Sequence, residues 1–71
     1  MAELPKLTVE ERAALDRLAK GFTYKEIMAQ FQMSHTTFYL TLRVARAKLG
    51  AETTIQAVAV AVKRRLIDLD V

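Results

Sequence analysis

The sequence has no cysteine and no tryptophan, one histidine, one proline and only two glycines in 71 residues. Without cysteine there is no disulfide scaffold. A lone His35 cannot assemble a His/Cys zinc cluster, so no metal centre and no cofactor are expected. Long hydrophobic runs are missing too. The longest, Ala57 to Val62, falls far short of a membrane span, and the opening Met-Ala-Glu-Leu-Pro has neither the basic nor the apolar region of a secretion signal. Disorder is excluded by 52% hydrophobic residues, enough for one compact core near the lower size limit for folding alone. A soluble, cytoplasmic, single-domain protein is expected.

What the chain does have is helix punctuation. Thr8 with Glu11, Thr23 with Glu26, and Thr53 with Gln56 each place a hydroxyl three residues before an acid or amide and just ahead of an apolar-periodic stretch. In that spacing the hydroxyl accepts a free backbone N–H at the helix start while the later side chain reaches back. Ser34 is a fourth cap, and Gly21 and Gly50 fall where helices should stop. The reading is all-α, with four helices over about 9–20, 24–31, 35–49 and 54–67 joined by connections of about two to four residues. Residues 1–7 form a leader, 8–67 the domain and 68–71 a tail. With Met1 ahead of that short leader, the chain is read as a complete small protein. Leu15, Leu18, Ala19, Phe22, Ile27, Phe31, Phe38, Leu42, Ala45 and Leu49 recur at helical spacing and are the expected core.

The alternating Ala57–Val62 run imitates a strand, but its cap and the following Lys63-Arg64-Arg65 favour a helix. Wound as a helix, it places Ile55, Val58, Val62 and Leu66 on one face. Ala57, Val60, Ala61 and Arg64 lie outside that face and are the expected interface of a homodimer.

Charge is divided unevenly. Residues 1–31 are neutral overall, whereas residues 32–67 carry six basic side chains and one acidic. The excess sits on the third and fourth helices, which suggests an anionic partner. A short helix, a tight turn at Gln32-Met33, the Ser34 cap and a longer helix with hydroxyls in its first turns have the layout of a helix-turn-helix. The expected contacts to double-stranded DNA are Lys25, Ser34, His35, Thr36, Thr37, Tyr39, Leu40, Arg43, Arg46 and Lys48. Arg43 is the best base reader because a guanidinium donates two hydrogen bonds to guanine. Ser34 and His35 are the only pair that imitates a catalytic site. As neighbours at a helix start they point about 100 degrees apart, and no enzyme is expected.

Leu7-Thr8, Ala19-x-Gly21, Lys25-Glu26-Ile27, Ser34-x-x-Thr37, Lys48-Leu49-Gly50, Ala57-Val58 and Leu66-Ile67, in this order and spacing, resemble the LuxR/GerE type of DNA-binding domain over residues 7–67. The tail looks most like the quorum-sensing branch. The resemblance implies recognition by the third helix in the major groove, dimerisation through the fourth, and transcription regulation. The chain departs from the family at Tyr39, where a Lys is usual, and at Thr41, where a His is usual. Losing the Lys removes a cation from the groove-facing turn, and Leu40 beside it adds apolar surface. The alternative is therefore a helix-turn-helix turned to protein binding, an antagonist of another transcription regulator or a factor docking on RNA polymerase.

Overall fold

The structure is a computed structural model and describes residues 6–67; the expected leader and tail lie largely outside the described residues, at 1–5 and 68–71. Four α-helices follow one another: α1 (Val9–Ala19), α2 (Tyr24–Phe31), α3 (His35–Leu49) and α4 (Thr54–Lys63). No strand occurs among the described residues, and no helix there is long and apolar enough to cross a membrane.

Each helix starts where a hydroxyl says it should. Thr8 and Thr23 form complete capping boxes, their Oγ1 accepting from the N–H of Glu11 and Glu26 at 3.1 Å while each glutamate accepts from the threonine N–H at 2.9 and 2.8 Å. At α4 the box is displaced by one residue. Thr53 Oγ1 accepts from Gln56 N–H at 3.0 Å, but Gln56 Oε1 accepts from Glu52 N–H rather than from Thr53.

The four helices also stop alike. After each, one residue with positive φ is followed by an apolar residue whose N–H donates back across the last turn: Phe22 to Arg17 O, Met33 to Met28 O, Ala51 to Arg46 O and Leu66 to Ala61 O, at 2.8–3.0 Å. This is the Schellman closure. All four apolar residues then pack against the core. Gly21 and Gly50 take two of the left-handed positions, while Gln32 (φ 53°) and Arg65 (φ 56°) take the others, at a cost of about 1–2 kcal/mol each for an L side chain.

Because Arg65 turns the chain, α4 ends at Lys63 instead of continuing to 67. The expected last turn is instead a hook that returns Ile67 to the interior, where it is 5% exposed. α1 packs on α3 and α4, α3 on α4, and α2 leans on α1. The core holds Ala14, Leu15, Ile27, Phe38, Leu42, Ala45, Leu49, Ala57, Ala61 and Ile67. Leu18, Ala19, Phe22 and Phe31, also expected there, sit half-buried at its edge, as does Leu7 from the expected leader.

Candidate nucleic-acid interface

Three residues join α2 to α3, and each fixes something. Gln32 closes α2, Met33 turns its side chain onto the core, and Ser34 opens α3 with its Oγ accepting from Thr37 N–H at 3.1 Å and donating to Thr37 Oγ1 at 3.1 Å. With both ends of the turn closed, the direction in which α3 leaves is set locally. A three-residue connection is of the length that a helix-turn-helix uses.

Along 15 residues, α3 buries Phe38, Leu42, Ala45 and Leu49 and turns its opposite side to solvent. Helical spacing puts Thr36, Leu40, Arg43, Val44 and Ala47 along that outer side, and all five are exposed. On one flank Tyr39 stacks on His35, ring centroids 6.2 Å apart, and meets Tyr24 of α2 and Phe38 edge-on at 6.0 and 5.9 Å. The phenol is thus steadied against α2 while remaining half exposed. Lys25 stands exposed on the first turn of α2. The N–H groups of His35 and Thr36 have no acceptor within the helix, which leaves them available to an anion.

The other expected contacts have internal occupations. Lys48 donates to Glu11 Oε1 at 2.7 Å and to the Lys6 carbonyl at 2.9 Å, so its ammonium ties α3 to the start of α1. Arg46 is half-buried and reaches Thr54 Oγ1 on α4 at 3.4 Å. Ser34 and Thr37 are joined to each other as a cap. Glu11 is the only buried charged residue in the described region, 5% exposed. Burial opposes ionisation of its carboxyl. The hydrogen bond from Lys48, the one from Thr8 N–H and the attraction of the Lys48 charge outweigh that opposition and hold its pKa below the ordinary glutamate value.

The expected dimer surface is corrected on two residues. Ala57 and Ala61 are fully buried inside this chain, Val60 is half-buried against the core, and of the four only Arg64 is exposed. Size misled the reading. The bulk assigned to α4's inner face comes from Ile67 after the helix, so α4 faces inward with its small side chains and outward with Ile55 and Ala59, flanked by half-buried Val58 and Val62. Three residues of the site were missed on the sequence: Val44, Ala47 and Tyr24. The first two were legible, since they continue Leu40 at spacings of four and seven. Tyr24 carries no such signal, because its role depends on how α2 meets α3.

No protein-family model, curated protein or solved structure matches this chain.

Proposed function

We propose that the protein is a sequence-specific regulator of transcription that binds double-stranded DNA as a dimer, with α3 in the major groove. The observation that carries this reading is the outer side of α3: a capped helix of 15 residues, reached from α2 by a three-residue turn, bearing Arg43 and no acidic residue anywhere along it. The resemblance to LuxR/GerE domains supports the same assignment. Arg43 reads a guanine, Thr36 and Leu40 contact neighbouring base edges, and Lys25 and the start of α3 hold phosphates. Dimerisation uses the outward side of α4, exposed Ile55 and Ala59 with the outer edges of Val58 and Val62, whose other sides pack against the core. The partners are thus duplex DNA and a second copy of the chain.

The test is selection from random duplexes, followed by affinity of the winner between about 50 and 200 mM salt. An inverted repeat with a steep negative salt slope is expected, and Arg43→Ala should weaken binding by about 1–3 kcal/mol. No enriched sequence and a flat salt response would overturn the reading. The exposure of Leu40 and Tyr39 favours the second reading, a helix-turn-helix that grips a protein such as RNA polymerase or another regulator. In that case no duplex is enriched and Leu40→Ala weakens partner binding, whereas a partner held by α4 would be indifferent to Arg43→Ala.

A further inference from the structure

Five large apolar side chains are exposed among the described residues, and three of them, Tyr39, Leu40 and Val44, belong to α3. Tyr39 has aromatic neighbours. Leu40 and Val44 have no place in the core or its rim, and they remain 53% and 42% exposed. They stand one turn apart, continue into Ala47, and with Arg43 and Lys48 line an open groove of about 400 Å³. The surface is a single aliphatic row with the exposed Arg43 guanidinium beside it, on a helix with no acidic residue, where Arg46 is half-buried and Lys48 is paired with Glu11.

We infer that Leu40 and Val44 select thymine, by packing on the 5-methyl groups in the major groove; the inference rests on the DNA-binding reading above. Charge complementarity names the occupant. An aliphatic row beside the exposed Arg43 guanidinium, with no carboxylate on its helix, suits a polyanion that also offers apolar spots, and duplex DNA is such a polymer. Among the base edges of the major groove the thymine methyl is the one apolar group, so an aliphatic side chain lying there has one feature to recognise. Side chains one helical turn apart are about 5–6 Å from each other. Base pairs rise about 3.4 Å per step, so the two methyls lie about two steps apart. Arg43 projects to one side of the Leu40–Val44 row on the same outer side of the helix, which places a guanine within the same short element. The preferred half-site is therefore a guanine accompanied by two thymines.

The experiment uses the duplex selected by the whole chain, with each thymine replaced in turn by deoxyuridine, which removes only the methyl group. Two thymine positions per half-site should each lose about fourfold in affinity, the equivalent of one buried methylene. Leu40→Ala and Val44→Ala, both at exposed positions and checked for unchanged helicity, should each become indifferent to uracil at one of those positions. If the chain binds its selected duplex but no uracil substitution matters, the inference falls and the DNA-binding reading stands. Uracil sensitivity that persists in both variants also overturns it, because another residue then reads the methyls. If no duplex is enriched, both readings fall and the ridge belongs to a protein partner.

Discussion

α3 turns its bulk inward, with Phe38, Leu42 and Leu49 in the core, and leaves a mixed outer side where Arg43 lies beside Leu40 and Val44. α4 does the reverse: Ala57 and Ala61 face in, and Ile55 faces out at 83% exposure. Both helices are amphipathic in the geometric sense, yet hydrophobicity identifies the buried side only for α3. In α4 every candidate face is apolar, and what decides is the volume left after Ile67 has hooked back into the interior. On the function proposed above, the outer side that mixes charge with methyl groups meets the polyanion, and the one made of Ile55, Ala59 and the edges of two valines meets a second copy.

The comparison can be broken most forcefully at Phe38. Phe38→Ala should cost about 3–5 kcal/mol, whereas Leu40→Ala, two positions along the same helix, should stay within about 0.5 kcal/mol. Urea unfolding of both variants checks the contrast, and equal losses would mean that α3 has been assigned the wrong sides. On α4 the smaller residue should be the more sensitive one. Ala61→Leu should destabilise by about 1–3 kcal/mol through overpacking, while Ile55→Ala should change stability by no more than about 0.5 kcal/mol. If α4 dimerises as proposed, Ile55→Ala should still weaken self-association in sedimentation, since it trims the outward side.

Polar attachment separates the two helices further. α3 is pinned to α1 by the Glu11–Lys48 pair, whereas the polar link from α3 to α4 is the 3.4 Å approach of Arg46 to Thr54. Since the Glu11 carboxyl is held below its ordinary pKa, its contribution is complete above that ordinary value and is lost as pH falls through the lowered one. Acid unfolding followed from about pH 7 to about pH 2 should therefore show a steeper loss for the native chain than for Glu11→Gln, which has nothing to protonate at this site. Parallel curves would assign the acid sensitivity elsewhere. The smallest effects are at the helix ends. Gly50→Val should destabilise by about 1–2 kcal/mol because valine resists positive φ, and Gln32→Gly should stabilise by about 0.5–1 kcal/mol for the same reason with the sign reversed.

The starts of all four helices were legible because a Ser or Thr cap is a local signal, settled within four residues. The end of α4 was not. Gly21 and Gly50 advertise their left-handed positions, but nothing about Arg65 in the sequence distinguishes it from Arg64, and the chain turns at one and not the other. The outer side of α3 was mostly visible, since helical spacing alone groups Leu40 with Arg43. The engagement of Lys48 was hidden because its partner lies 37 positions away, and a cation on a surface helix looks the same whether it faces solvent or Glu11. The inward face of α4 depended on a residue beyond the helix, which no periodicity within the helix can reveal.

The shared way in which the helices stop bears on how quickly the molecule assembles. Each closure joins residues no more than five apart, so a helix and its terminus form as one unit without waiting for distant chain. Local events of this kind take on the order of a microsecond or less. What remains is the docking of four short helices on short tethers, which packing then stabilises, the sort of topology that folds in microseconds to milliseconds. A freshly made chain would then reach its folded shape faster than the ribosome adds one more residue, at about 5–20 residues per second.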